Sequence, residues 1–227
     1  DRYGERSYYN QPVHLRIKVE DQNIRCRELL DELRGMTAVD AEGTDLTEDT
    51  EAWRNISGMD GNRIVRGCWE PELRLVTEAN YTVPVAFTDL AGNTAVFRTW
   101  DQVTVDTTAP EDVQFDYEVA EPVNYGPFGW LFSRGKMKIT AWAKDGTAGL
   151  RMISFTVTDE HGKETVRTGT FALSVEGTCS VELPLRNADF KGTVKTEVYD
   201  YAGNCAERIR SHVVESAEKH SGTAMAR

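Results

Sequence analysis

VPVAFTDLAGN, at residues 83–93, and VKTEVYDYAGN, at residues 194–204, are two copies of one pattern. In each copy an alternating strand leads into the same turn, Asp-x-Ala-Gly-Asn. Val83, Val85 and Phe87 fall on one side of the first strand, which is the period of two expected for a half-buried β-strand. A strand and turn that occur twice predict an all-β chain built from two tandem units.

The repeated turn has a structural explanation. We expect its Asp to accept a hydrogen bond from a backbone N–H two residues on, its Gly to adopt left-handed geometry, and its Asn to tolerate similar geometry. Calcium is an alternative ligand for Asp and Asn oxygens, but two oxygens fall short of the roughly six to eight that calcium takes. We therefore assign no metal site, and we assign as structural turn residues Asp89, Gly92, Asn93, Asp200, Gly203 and Asn204.

Length and charge narrow the class of protein. The chain has 227 residues and a net charge of −11. Its length suits two domains of about 100 residues or more. The negative charge argues against binding to nucleic acid or to an anionic membrane surface. No apolar run is long enough for a transmembrane helix, so we expect no direct membrane insertion.

The sequence TVDTTAPE, residues 104–111, separates the two copies. Pro110 lacks a backbone donor and pushes the preceding residue toward extended geometry, which predicts a short, stiff connector. We therefore place one domain at residues 1–110 and a second at residues 111–215. The tail, residues 216–227, is rich in Ser, Ala, Gly and Lys, and we expect it to be disordered.

A strand, DxAGN, another strand and then VDTTAP resemble the bacterial immunoglobulin-like modules of secreted and cell-wall-attached surface proteins. The matching text is residues 80–110, 192–204 and 206–215, and residues 136–150 resemble the family's second strand and turn, with Thr-Ala-Gly where Ser-Gly is common. The resemblance covers most of the second domain but only parts of the first. It implies two tandem immunoglobulin-like β-sandwiches and an extracellular location on a bacterium.

Alternation within the second domain predicts seven strands, the usual number for such a sandwich. Met137, Ile139 and Ala141 form the inward face of the second strand. The predicted strands lie near residues 113–118, 136–144, 152–159, 164–174, 180–185, 193–200 and 206–214.

The first domain adds a helix to the predicted strands at residues 13–20, 72–78, 81–88 and 94–105. Leu29, Leu30, Leu33 and Met36 recur at helical spacing, so we predict a short helix at residues 24–34. The polar, turn-rich segment 37–62 is predicted to be a long surface excursion.

The four cysteines divide equally between the domains and include no CxxC pair, which favours disulfides over zinc. Sequence alone allows three pairings. Because connections after alternate strands of a Greek-key sandwich lie at the same end, we predict the pairs Cys26–Cys68 and Cys179–Cys205. Each disulfide would add about 2 to 4 kcal/mol and would indicate an oxidising compartment.

Catalytic motifs are missing from the sequence. None of the four histidines belongs to HExxH, and no GxSxG, Walker or GxGxxG segment occurs. The acidic residues near position 48 lie in a polar segment, where carboxylates are usually solvated. We therefore predict a non-catalytic protein with no cofactor.

Two surfaces are candidates for partner binding. Trp142 alternates with the inward residues of its strand, so its indole is predicted to point outward unless a neighbouring loop covers it. The helix and the long excursion of the first domain form the other surface. The candidate binding residues are Trp142, Tyr125, Phe128, Trp130, Arg27, Asp31, Arg34 and Trp53.

Three functions are compatible with these features. The first is a binding segment of a bacterial surface protein, an adhesin whose partner is a host protein or glycoprotein such as an immunoglobulin. The second is a structural spacer within a surface array, which predicts cohesive packing at the Asp106–Pro110 connector. The third is an accessory carbohydrate-binding region of a secreted enzyme, which predicts aromatic rings spaced to stack on sugars. The helix-bearing first domain favours the first function.

Overall fold

A computed structural model of the chain describes nine ranges of residues: 2–3, 6–33, 35–50, 56–57, 64–83, 86–96, 102–120, 135–185 and 191–213. These residues form strands connected by turns, with two short helices, and the all-β prediction is confirmed. No helix in the described ranges is both long and apolar enough to cross a membrane.

The elements up to residue 105 form the first β unit. They are β1 (Arg2–Tyr3), β2 (Arg6–Tyr9), β3 (Val13–Arg16), β4 (Val19–Arg25), α1 (Cys26–Leu33), β5 (Thr37–Val39), α2 (Thr47–Thr50), β6 (Ile56–Ser57), β7 (Ile64–Trp69), β8 (Glu72–Leu75), β9 (Ala79–Thr82), β10 (Ala86–Thr88), β11 (Thr94–Val96) and β12 (Gln102–Val105). Five strands make its largest sheet, in the order β1-β2-β12-β9-β5. In this sheet β12 runs parallel to β2 and antiparallel to β9.

The second β unit begins at Glu111 and has seven strands. They are β13 (Glu111–Ala120), β14 (Gly135–Lys144), β15 (Leu150–Asp159), β16 (Glu164–Ser174), β17 (Glu176–Leu185), β18 (Lys191–Asp200) and β19 (Cys205–Val213). One sheet has the order β13-β14-β17 and the other β16-β15-β18-β19.

One apolar core lies between these two sheets. Met137 and Ile139 from β14 pack in the same buried cluster as Ile153 and Phe155 from β15. Because side chains alternate across a strand, the residues between them face outward. A separate cluster fills the first unit, and its members end at Val105.

The helix α1 is shorter than the sequence pattern predicts. Ile24 and Arg25 belong to β4, where they pair with β7. Leu33 is fully buried, and α1 contacts β10. Pairing with a neighbouring strand thus outweighs the helical spacing at the first two positions.

The segment 37–62 is not purely a surface excursion. Its first residues form β5, which pairs with β9 at the edge of the largest sheet, and Ala38 is buried. A hydrogen bond from the backbone N–H of Ala38 to Thr47 Oγ1, at 3.1 Å, connects this strand to α2. The three residues Thr37–Val39 were too short a signal to predict a strand.

All four cysteines are free thiols, which corrects the predicted disulfides. Cys68 lies opposite Glu20 in the pairing of β4 with β7, whereas Arg25, next to Cys26, lies opposite Ile64. Cys68 lies four positions along β7 from Ile64, or about 13 Å at the rise of a strand. A disulfide needs Cα atoms within about 7 Å, so Cys26 and Cys68 cannot pair.

Cys179 and Cys205 lie at opposite sides of the second unit. The Sγ atom of Cys179 is so close to Gly169 of β16 that a Cβ atom there would lie 2.2 Å from it. Cys205 begins β19, the strand at the other edge of the same four-stranded sheet. Three strand spacings, about 14 Å, separate these edges. The prediction considered only at which end of the sandwich each cysteine lies. It failed because the two cysteines lie at opposite edges of the four-stranded sheet.

We expect reductant to leave the stability of the protein unchanged. Without a disulfide, the urea midpoint should be the same with and without dithiothreitol, whereas losing one disulfide would remove about 2 to 4 kcal/mol. A thiol titration in denaturant without reductant should find all four cysteines reactive. Fewer reactive thiols, or a lower midpoint in reductant, would contradict the free-thiol state.

Candidate metal centre at the junction of the two units

Asp106 follows β12 directly and lies between the two units. It is fully buried, and its backbone N–H donates to the carbonyl of Tyr9 at the end of β2, at 2.9 Å. Its Oδ1 accepts from the N–H and hydroxyl of Thr108, both at 3.1 Å. Its Oδ2 accepts from the backbone N–H of Ala148 in the second unit, at 2.8 Å. One carboxylate therefore binds the connector and the second unit together.

Asp145 follows β14 in the turn that leads to β15. The residue is 3% exposed. Its Oδ1 accepts from the backbone N–H of Gly149 at 2.6 Å and from that of Thr147 at 3.2 Å. Gly149 has a φ of 80°, a conformation that glycine adopts without strain. The turn thereby folds its backbone donors around the carboxylate.

Asp200 ends β18 and begins the second DxAGN turn. It is fully buried, and its Oδ1 accepts from the backbone N–H groups of Gly203 and Asn204, at 2.6 and 2.8 Å. The Asn204 side chain donates from Nδ2 to Asp200 Oδ2 at 2.7 Å and to the carbonyl of Asp106 at 2.8 Å. The turn thus holds the connector as well as reversing the chain.

The three carboxylates meet at one place. Asp106, Asp145 and Asp200 each offer an oxygen, and these oxygens all lie within 4.8 Å of one another. Carboxylate oxygens are the donors that calcium and magnesium prefer. The group is therefore the candidate metal centre in the described ranges, whereas the sequence analysis assigned no metal.

Sequence reasoning missed this group because it weighed the oxygens of each DxAGN turn alone. Asp106 was placed in the connector and Asp145 in an ordinary turn. The available signal was that each of the three lies at the C-terminal end of a strand with a buried face: Asp106 and Asp145 directly after one, and Asp200 as the last residue of one. Strands that end at the same side of a unit bring such residues together, but the sequence does not say which ends meet.

Burial makes these three carboxyls weaker acids than an exposed aspartate. Burial, together with the nearby carboxyls of Asp145 and Asp200, raises the pKa of Asp106 to about 7. Burial, with a contribution from Asp145, raises the pKa of Asp200 to about 6. Burial also raises the pKa of Asp145. Each carboxyl consequently holds a proton to a higher pH than an exposed aspartate.

The first DxAGN turn separates the effect of burial from that of hydrogen bonding. Asp89 accepts from the N–H groups of Ala91 and Asn93 and from Asn93 Nδ2, much as Asp200 does in its own turn. Those hydrogen bonds lower the pKa of Asp89, which is accessible to solvent. The same turn therefore gives opposite pKa shifts at Asp89 and Asp200, because only Asp200 is buried beside other carboxyls.

Further contacts join the two units around the carboxylates. Asn80 Nδ2 donates to the carbonyl of Thr147 at 3.0 Å, and the N–H of Ala41 donates to the carbonyl of Gly146 at 3.1 Å. Tyr8, Ala148 and Ala202 are buried together there, with Tyr201 packed against them. The rings of Tyr8 and Tyr201 have centroids 5.4 Å apart. Polar and apolar contacts thus surround the three aspartates.

Trp142 lies on the outward side of β14 and is half-buried. Gln114 and Thr178 are its cross-strand neighbours, and Lys144 Nζ lies 5.3 Å from the centroid of its ring. This places the ring on the sheet surface, with a cation beside it.

Within the described ranges, no contact joins Trp142 to any other predicted binding residue. Arg27 and Asp31 are exposed on α1, in the first unit. The remaining five lie outside the described residues: Tyr125, Phe128, Trp130, Arg34 and Trp53. The predicted tail at 216–227 also lies outside them.

Comparison with known proteins gives no family. Neither a protein-family model nor a curated protein matches this chain. Among solved structures, it is similar to the Northeast Structural Genomics Consortium target SoR45, at 9% identity and a TM-score of 0.31, over 51% of this chain and 95% of that one. A Bordetella pertussis protein with the provisional name ApaA matches at 9% identity and a TM-score of 0.27, over 45% of this chain and 95% of that one. Likenesses this weak support no argument about fold or function.

We expect the metal-free protein to become less stable as pH rises from about 5.5 to 8. The pKa of Asp106 is about 7 in the folded protein and close to 3.8 when unfolded, so the folded state binds more protons across this window. Linkage then removes about 2 kcal/mol of stability through this group alone. Urea unfolding in chelator at several pH values measures the slope.

Asp106→Asn should reduce this slope, and Asp89→Asn should leave it unchanged. The amide that replaces the carboxyl at position 106 has no proton to lose, whereas Asp89 is already ionised throughout the window because its pKa is lowered. A wild-type stability that stays level or rises with pH would contradict the assignment of buried, protonated carboxyls.

Proposed function

We propose that this chain is a structural segment of a bacterial surface protein, with two immunoglobulin-like sandwiches joined into one stiff rod. The observation that carries the proposal is the buried connection at Asp106, which bonds to both units through different atoms. A spacer requires such packing at the connector, because a flexible connector would let neighbouring domains of an array adopt many relative orientations.

The strand order of the second unit supports the immunoglobulin-like part of the proposal. Seven strands in two sheets over one core are the expected architecture. The fourth strand, β16, joins the sheet of β15, β18 and β19 rather than that of β13, β14 and β17. This differs from the constant-type arrangement, in which the fourth strand belongs to the first sheet. The proposal therefore concerns the broader sandwich architecture.

The connector itself favours stiffness. Only residues 107–110 separate the buried Asp106 from β13, and Pro110 is buried. The N–H and hydroxyl of Thr107 both donate to Glu78 Oε1. A connector this short, with its backbone bonded to the first unit, leaves few conformations for the second unit to sample.

A second candidate function is binding to a host protein or glycoprotein, and the outward-facing Trp142 is the observation that favours it. Aromatic side chains at a surface commonly anchor partners. The carbohydrate-binding alternative has less support, because Trp142 is the one aromatic among the described outward residues of β14 and its paired neighbours. The extracellular location is part of the proposal and rests on the family resemblance, since the disulfides that also favoured it are not formed.

We expect Asn204→Ala to loosen the two units. The substitution removes the bond from Nδ2 to the Asp106 carbonyl and the bond to Asp200 Oδ2. In wild-type protein, ¹⁵N relaxation should give both units one rotational correlation time. In the variant, each unit should tumble faster and with its own correlation time.

Asn93→Ala is the matched control, because Asn93 occupies the same position in the exposed first turn and bonds only to Asp89 among the contacts described. It should leave the correlation time unchanged. Independent tumbling of the two units in the wild-type protein would overturn the rod.

Trp142→Ala tests the second candidate. If this surface binds a glycoprotein, the wild-type protein should give signals on a glycan array that the folded variant loses. Equal signals from both proteins, or none from either, would exclude Trp142 as a glycan anchor.

A further inference from the structure

Three turns of the chain share one set of backbone hydrogen bonds. They begin at Asp40, Asp89 and Asp159, and in each the N–H of the Asp donates to the carbonyl of the residue four positions on. The Asp Oδ1 accepts from the N–H groups two and four positions on. The fourth residue is a glycine, with φ values of 88°, 89° and 76° in the three turns. One backbone geometry therefore occurs with three sequences, which shows what the turn itself requires.

The three sequences have only the Asp and the Gly in common. Residues 40–44 read DAEGT, residues 159–163 read DEHGK and residues 89–93 read DLAGN. The turn thus forms without Leu at its second position, Ala at its third or Asn at its fifth. The side chains that distinguish DLAGN are consequently not required to reverse the chain, and their role has to be sought outside the turn.

The second DxAGN turn shows what these positions do when they are covered. The ring of Tyr201, at the second position, has its centroid 5.4 Å from that of Tyr8. Ala202, at the third position, is 8% exposed and lies in the same buried cluster as Tyr8. Asn204, at the fifth position, donates from Nδ2 to the carbonyl of Asp106 at 2.8 Å. The positions that the turn does not require therefore form the junction with the first unit.

The first DxAGN turn presents the same three positions uncovered. Leu90, a large apolar residue, is 49% exposed, and Ala91 is exposed as well. Asn93 Nδ2 donates to Asp89 Oδ2 at 2.7 Å. An Asn side chain has two N–H donors, and within the described ranges the second N–H of Asn93 meets no acceptor. The turn thus offers an apolar patch and a donor that no described part of the chain covers.

The two turns lie at equivalent ends of their units. β10 and β11 form a hairpin around the first turn, with Thr88 opposite Thr94. β12 ends at the connector, where Val105 lies opposite Ala79, the first residue of β9. The first turn is therefore at the end of its unit away from the connector, whereas the second turn is at the end that meets it. A head-to-tail contact of this kind can repeat along a rod, because it does not close on itself.

We propose that the first DxAGN turn docks a further immunoglobulin-like unit of the surface array, whose last strand is followed by an aspartate as β12 is followed by Asp106. Asn93 Nδ2 donates to the backbone carbonyl of that aspartate, and Leu90 and Ala91 pack against an apolar side chain in the position of Tyr8. This inference rests on the proposed function, because it extends the rod by the contact that already joins its two units.

The chemistry of the turn indicates what the partner offers. A backbone carbonyl at the end of a strand is the acceptor that Asn204 finds at Asp106, and Asn93 presents the same donor. Leu90 has no polar atom in its side chain, so it is covered favourably only by apolar carbon. The carboxylate of Asp106 also binds the N–H of Ala148, and no counterpart of that donor is described beside the first turn. A strand end with an apolar neighbour therefore fits the turn better than a charged ligand does.

An extended chain brings the proposed partner strand to the turn. The sequence of residues 102–110, QVTVDTTAP, is added before the full chain through a Gly/Ser linker of about 40 residues, which spans roughly 35 Å. The tether raises the effective concentration of the added strand to the millimolar range. In ¹H–¹⁵N spectra, we expect the backbone signals of residues 90–93 and the side-chain signal of Asn93 to move relative to the unextended chain. Signals of the turn at residues 159–163 should not move.

A variant that exchanges the turn sequence provides the matched control. Leu90→Glu, Ala91→His and Asn93→Lys together give the first turn the residues of the turn at 159–163. Because that sequence forms the same backbone hydrogen bonds, the triple variant should fold as wild type does, and a circular dichroism melt checks this. In the extended chain, the variant should lose the signal changes. An extension that carries the nine residues in scrambled order should cause none in the wild-type turn.

Three results would each overturn the inference: no change at residues 90–93, an equal change with the scrambled extension, or an equal change in the triple variant. Its failure is distinguishable from failure of the rod, which is measured in the unextended chain. If the two natural units tumble together while the added strand leaves the first turn unchanged, the turn is not a docking surface and the proposed function stands. If the added strand docks while the natural units tumble independently, the contact exists but the rod does not.

Discussion

Burial of Asp106 at the end of β12 is the constraint on which the arrangement of the two units depends. Its backbone and side chain use every polar group: the N–H bonds to β2, the carbonyl to Asn204, and the carboxylate to Thr108 and Ala148. Because a buried carboxyl without partners is unfavourable, the second unit can separate from the first only by exposing or orphaning these groups. The connector is thus part of the fold rather than a tether between folds.

The two DxAGN turns show how one local sequence acquires two roles. In both turns the Asp N–H donates to the Asn carbonyl, and the Asn N–H and Nδ2 donate to the Asp carboxylate. Gly92 and Gly203 have φ values of 89° and 97°. Only the second turn meets the connector, where Asp200 becomes buried and its pKa rises to about 6. Local chemistry therefore determines the shape of the turn, whereas tertiary position determines its electrostatic role.

The second unit was more predictable than the first, because its long strands alternate regularly. All seven of its strands occur within a few residues of the predicted positions. In the first unit β1, β2, β5 and β6 were missed, since they are two to four residues long and carry little alternation. The six-residue β7 was missed as well, because only Trp69 of this strand is buried and it shows no alternating pattern. The parallel pairing of β2 with β12 joins distant parts of the chain, and nothing local in the sequence indicates it.

The candidate site could be predicted only in pieces. The turn at Asp200 and the connector at Asp106 were both recognised, but their meeting with Asp145 depends on how the units pack. Residual dipolar couplings test the central claim of a stiff junction most directly. Couplings from residues 6–105 and 111–213 should fit one alignment tensor, in the relative orientation of the two units described here. Two different tensors, one for each unit, would contradict the account.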